Sequence, residues 1–204
     1  MKFRVLITAS LVIIVTLSGC GLITRYGTPN LTGVQLTIND LPSGYKQLSD
    51  QELTSLGITK ENFASAFKGA FSNASPQNFT VFTNPGNNNG ELVFSVLFYP
   101  ISQGDIADWN NKIRDPNVAA QDIAKGLGSG SEVKVISGNS KIGDSSIEFS
   151  TLIAGNTIEI IEARYFNVAM LFMYRYSNNP DLDLHNLALI LNSRVVNAYN
   201  LAKK

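Results

Sequence analysis

Few side chains in this sequence are equipped for covalent or proton-transfer chemistry. The 204 residues include one cysteine, Cys20, and one histidine, His185. A thiol can carry a covalent group. A lone imidazole works as a base only beside a hydroxyl or carboxylate partner. The sequence assigns His185 no such partner: it falls in the first turn of a last helix beside Leu184, as a surface or core-edge residue, and one histidine builds no multi-histidine metal site. Glu148, Glu159 and Glu162 lie on neighbouring strands and would make a carboxylate cluster if they converged. They alternate with apolar residues, however, which marks a solvated face, and Arg164 is available to pair with them. Asp105, Asp108, Asp115 and Asp122 lack the loop spacing of a calcium site. Asp181 and Asp183 stand near a helix N-terminus, where the macrodipole favours acids. Gly126-Leu127-Gly128-Ser129-Gly130 has the composition of a phosphate loop in the wrong order. Such a loop follows a strand and opens a helix, whereas here a helix precedes and a strand follows. We therefore expect no catalytic, cofactor-binding or metal-ligating residue, and no metal- or histidine-dependent activity. Calcium held by carboxylates and carbonyls from distant loops is the one metal this reading leaves open.

Cys20 is different, because its context is specific. Lys2 and Arg4 form a basic start, residues 5–17 are almost uninterruptedly apolar, and small residues follow. That is the layout of a secretory signal. The apolar run is too short to span a bilayer, which takes ~20 residues. Leu17-Ser18-Gly19-Cys20 resembles the lipobox of bacterial lipoproteins and matches it at each position. The resemblance implies removal of residues 1–19 as a signal peptide, lipidation of Cys20, and attachment to a membrane on its extracytoplasmic face in the cell envelope. Palmitate is among the acyl groups expected there.

Removal of residues 1–19 leaves 185 residues, enough for one domain with a full core. The whole chain carries 16 basic and 16 acidic residues; without Lys2 and Arg4 the balance is 14 against 16, a net −2. Nucleic acid or anionic lipid as a main partner would demand a clear basic excess, so this balance argues against both. With Cys20 lipidated, no thiol remains for a disulfide or a metal.

The elements follow from spacing. Residues 20–32 have no period and contain Gly27 and Pro29, so they read as a tether reaching up to ~40 Å. A single domain then covers residues 33–204. Val34, Leu36 and Ile38 alternate as in a first strand, and Leu41-Pro42-Ser43-Gly44-Tyr45 is a turn. Ser49 and Glu52 have capping-box spacing ahead of a short helix that Gly57 ends. Thr59 caps a longer helix with Phe63, Ala66, Phe67, Ala70 and Phe71 on one stripe, read as core. Strands at residues 79–83 and 92–99 flank a polar hairpin loop. Ser102 opens a helix with Ile106, Trp109 and Ile113 on one face, and Asp115-Pro116 starts another. Residues 147–153 alternate and Gly155-Asn156 marks a hairpin turn. Residues 158–165 call for a β-bulge between Ile160 and Ile161 to reconcile two inward phases. After an apolar strand at 168–176, Asn179-Pro180 caps a final helix buried through Leu184, Leu187, Ala188, Leu191, Val195 and Ala198.

This order predicts an α+β fold: an antiparallel sheet covered by helices, with a C-terminal strand meander and packing helix. The closing series of strand, tight turn, apolar strand and helix resembles the PsbP-like fold, although Leu41-Pro42-Ser43-Gly44-Tyr45 stands where many such domains have an aromatic-Pro-x-Gly-Trp motif. The resemblance implies a non-enzymatic adaptor or accessory protein. The expected function is thus a lipid-anchored extracytoplasmic binding or accessory module for a membrane-associated protein partner, non-catalytic and without cofactor. The alternative is a carrier or sensor of a lipid or other apolar ligand in a pocket under the Phe63–Phe71 helix.

Overall fold

A computed structural model describes residues 27–59, 74–86, 90–127, 132–136, 138–177 and 180–202. Cys20 and the Phe63, Phe67 and Phe71 stripe lie outside the described residues. Among these there are seven strands: β1 (Lys46–Gln47), β2 (Ser75–Asn84), β3 (Glu91–Tyr99), β4 (Val133–Ile136), β5 (Ser145–Ile153), β6 (Asn156–Tyr165) and β7 (Val168–Tyr176). Four helices accompany them: α1 (Asp50–Ser55), α2 (Gln103–Arg114), α3 (Pro116–Leu127) and α4 (Leu184–Ala202). The strands form one antiparallel sheet in the order β1-β2-β3-β7-β6-β5-β4. Two meanders therefore meet at the β3/β7 pair, and α2 and α3 carry the chain from the centre to the β4 edge. This is the expected α+β class.

β3 and β7 are apolar on both faces because both faces are covered. Val93, Leu97, Met170, Phe172 and Tyr174 point to the layer built by α4, where Leu184, Leu187, Ala188, Leu191 and Val195 meet them. Val96, Phe98, Ala169 and Leu171 point the other way, onto Trp109 of α2. Towards the sheet margins that second face is closed by Leu53 of α1 and by Ala119 and Ala120 of α3. The Trp109 indole N–H also donates to Ser145 Oγ at 2.9 Å, which ties α2 to β5.

Local signals act where expected. Ser49 and Glu52 form the capping box of α1, and Gly57 follows its end at φ +73°. Ser102 and Asp105 form a second box at α2, and Asp115 accepts the Val118 N–H ahead of Pro116.

Four expectations are corrected. Residues 33–38 make no strand. They dock as irregular chain running into a 3-10 turn at Ile38–Asp40; Leu36 is buried in the core but Val34 is only partly buried and Ile38 is exposed, so the alternation marks neither a strand nor a buried face. The β-bulge expected at Ile160/Ile161 is absent: β6 pairs with β5 and β7 without a register shift, since a strand buried on both faces needs no switch. The bulge lies instead between Gln77 and Thr80 of β2. There Asn78, at φ +49°, donates to the carbonyls of Leu31 and Val34 and pins the N-terminal segment. The β5–β6 turn is Ala154-Gly155, one residue earlier than expected; both have positive φ (50° and 78°), as a type I′ turn demands. Finally, the last helix starts at Leu184, later than the Asn179-Pro180 signal predicts (Asn179 itself lies outside the described residues), and Asp183 caps it, accepting the Asn186 N–H at 3.0 Å. Leu182 precedes it and is buried, as is Leu187, the N′/N4 placement of a hydrophobic staple.

The described part of the segment read as a tether packs against the domain. Pro29 and Leu31 are buried, and Gly27 lies so near the end of α4 that a Cβ there would come within 3.0 Å of the Ala202 carbonyl oxygen.

Candidate functional site

The Asp183 cap places His185 at the second position of α4, on the flank that overlies β5. Glu148 sits mid-strand in β5, opposite Ile161 of β6 and Ile136 of β4, with its side chain on the α4 face. Covering that face buries it, to 6% exposure, where the sequence pattern implied solvent. His185 Nδ1 lies 2.5 Å from Glu148 Oε1. The second carboxylate oxygen, Oε2, accepts from the side-chain amide of Asn139. On the other side of the ring, Ser140 Oγ lies 3.0 Å from His185 Nε2. Asn139 and Ser140 belong to the loop between β4 and β5, which Gly143 fastens to the sheet. At φ +65° Gly143 bridges to Arg164, and any Cβ there would collide with the Arg164 carbonyl oxygen.

Donor and acceptor roles follow from the chemistry. An ionised carboxylate only accepts, so the proton of a neutral His185 sits on Nδ1 and is donated to Glu148. Nε2 is then an acceptor, and the exposed Ser140 hydroxyl donates to it. Hydroxyl, imidazole and buried carboxylate thus stand in the sequence nucleophile, base and orienting group. A cavity of about 230 Å³, bounded by Ile113, Pro116, Val135, Ile136 and Ile147 and, on its polar side, by Asn139, Ser146 and Glu148, touches this group only through Asn139 and Glu148; neither Ser140 nor His185 lines it.

The three strand glutamates do not form a cluster. Glu162 projects to the opposite face, 3.5 Å from Lys112 of α2. Glu159 accepts from Tyr176 at 2.7 Å; burial, then this bond, holds the phenol well above its usual range. Arg164 pairs with Asp144 at 3.2 Å instead of with the glutamates. A separate buried carboxylate, Glu91, accepts from Tyr45 at 2.5 Å, and the neighbouring Tyr174 is pushed up to about 12, chiefly by burial. Asp183 is an N-cap, and Asp105 and Asp115 serve helix starts. Among the described residues, no group of three or more His, Cys, Asp or Glu side chains is gathered as for a metal ion. Nor is any helix long and apolar enough to cross a membrane.

His185 was visible in the sequence as a lone candidate, but Ser140, Asn139 and Glu148 were not visible as its neighbours. The separations are 45 residues to Ser140 and 37 to Glu148, and no local period reports such distances. One signal was present: polar Ser146, Glu148 and Ser150 alternate with apolar residues on a strand that a predicted apolar helix had to cover.

No protein-family model matches the chain, and no curated protein matches it. Among solved structures it is similar to the extracellular domain of PknH from Mycobacterium tuberculosis, at 11% identity and a TM-score of 0.49, covering 86% of this chain and 99% of that one. It is also similar to an uncharacterized protein of Mycobacterium smegmatis, the Rv0999 ortholog, at 16% identity and a TM-score of 0.33, covering 78% of each chain.

Proposed function

We propose that the protein is a lipid-anchored extracytoplasmic module that binds or assists a membrane-associated protein partner. The observation that carries this reading is the tetrapeptide Leu17-Ser18-Gly19-Cys20 behind a basic, then apolar, leader. The position of Gly27 adds to it. Seven residues separate Cys20 from Gly27, a reach of at most ~23 Å, so an anchor at Cys20 would hold the Gly27/Ala202 end of the domain close to the lipid surface. A groove of about 480 Å³ opens at that end between the N-terminal segment and α4, lined among others by Asn30, Val34, Arg194 and Leu201. A partner embedded in the same membrane would meet this end first.

Replacing Cys20 with Ala in the full-length protein tests the anchor. The parent should fractionate with membranes and incorporate labelled palmitate, and the variant should be unprocessed or released. A variant that remains processed, lipid-labelled and membrane-bound would overturn the assignment. Crosslinking in intact cells, followed by recovery from solubilised membranes, should capture a membrane protein through Lys203 or Lys204, next in sequence to Ala202. Capture that survives Cys20→Ala unchanged would argue that anchoring does not present this end.

A further inference from the structure

We propose that Ser140, His185 and Glu148 form an acyl-transfer site that hydrolyses carboxylic esters. Two observations converge. The hydroxyl and the carboxylate lie on opposite nitrogens of one imidazole, at 3.0 Å and 2.5 Å. Glu148 is buried and its second oxygen is taken by Asn139, so its geometry is held while Ser140 stays open to solvent. A nearby cavity shares Asn139 and Glu148 with the site, but neither Ser140 nor His185 lines it, so the substrate's acyl group is not assigned to it.

The reaction balances without a cofactor. Ser140 Oγ attacks the ester carbonyl carbon while its proton passes to His185 Nε2. The C=O π pair moves to the carbonyl oxygen, and the imidazolium is stabilised through its Nδ1–H by Glu148. Collapse of that tetrahedral species breaks the bond to the alkoxy oxygen, which takes the proton from Nε2 and leaves as an alcohol. Water then attacks the acyl-serine with His185 again accepting a proton. The carboxylic acid leaves and the serine hydroxyl is restored. Ser140 and His185 would be catalytic residues, whereas Glu148 and Asn139 are positioning residues.

The site lies at the first turn of α4, and the 19-residue helix spans ~28 Å to the Gly27/Ala202 end. Chemistry here would therefore be independent of the anchoring end, and its failure would leave the anchored-module reading intact.

The experiment uses the full-length lipidated protein in detergent, with a fluorophosphonate probe and p-nitrophenyl butyrate. Mass spectrometry should find the phosphonyl adduct on Ser140. Ser140→Ala should abolish both the adduct and ester turnover, and His185→Gln should lower kcat/KM by ~10²–10⁴-fold. Glu148→Gln should lower kcat more than it raises KM and should move the acidic limb of the pH–rate profile, which loss of packing alone would not do. Because Glu148 is buried, Ser140→Cys serves as a second probe at an exposed position. Its thiol should react with iodoacetamide at a rate that falls when His185→Gln is added. A parent protein with no adduct on Ser140, or turnover equal in parent and Ser140→Ala, would overturn the proposal and leave the three residues as a clasp between α4 and the β4–β5 loop.

Discussion

Single side chains in this protein act mostly by closing distances that the chain leaves open. Arg194 of α4 donates two hydrogen bonds of 2.7 Å to the carboxylate of Asp40 and a third to the carbonyl of Gln35. The irregular N-terminal segment is clamped to the helix in this way. Burial alone would raise the carboxyl of Asp40, but bonds from Arg194 and Thr37 outweigh it and hold the group below its ordinary value near 3.8. A depressed carboxylate contributes stability that is fully present above the unfolded value and is lost as pH falls through the folded one. Denaturant melts should therefore show stability level from neutral pH down to about pH 4 and falling below it. Asp40→Asn should cost ~1–2 kcal/mol at pH 7, because the pair is bidentate yet partly wet, and should flatten the acid limb. An acid limb identical to the parent's would refute the role given to Asp40.

At the scale of elements, the informative case is the start of α4. Asn179-Pro180 and Asp183 both carry cap chemistry, and the tertiary context selects between them. Leu182 is buried immediately before Asp183, so the chain enters the core there and turns into the helix behind it. Asp183 then satisfies the Asn186 N–H. Asp183→Ala should destabilise the protein by ~1 kcal/mol, the usual worth of an N-cap. Asp183→Asn should cost much less, because Asn caps nearly as well. Thermal unfolding of the two variants distinguishes this from a purely electrostatic role, for which Asn would resemble Ala. The same logic governs β6, where burial on two faces replaced the bulge that a one-faced reading required.

The whole molecule is a sheet between two helical layers, and the α4 layer carries the greater share of the core. Leu191 is 1% exposed at its middle, among Leu187, Val195 and the inward residues of β3, β6 and β7. Leu191→Ala should cost ~2–5 kcal/mol, by lost transfer energy and the cavity left behind. If the unfolding free energy of that variant changed by less than ~1 kcal/mol, α4 would be a peripheral helix and not a structural layer. The arrangement also separates the two ends of α4. The Ala202 end meets the segment that leads back to Cys20, and the His185 end carries the imidazole between serine and glutamate.

Periodicity and composition were sufficient for the α+β class, for the apolar strands β3 and β7, for the helix starts at Ser49, Ser102 and Asp115, and for the buried face of α4. Each depends on residues within about a dozen positions of one another, where backbone geometry repeats and leaves a period in the sequence. The order of strands does not, since β3 and β7 are neighbours across some seventy residues of chain. Residues 33–38 illustrate the limit from the other side: Val34, Leu36 and Ile38 alternate in sequence, yet only Leu36 is fully buried, Ile38 is exposed, and the segment pairs with no strand. Glu148 illustrates it at the site. A polar residue on a strand faces water until something covers it, and what covers it here is a helix 37 residues later in the chain. Ser140, His185 and Glu148 are thus ordinary in sequence, and their meeting is a property of how α4 packs across β5.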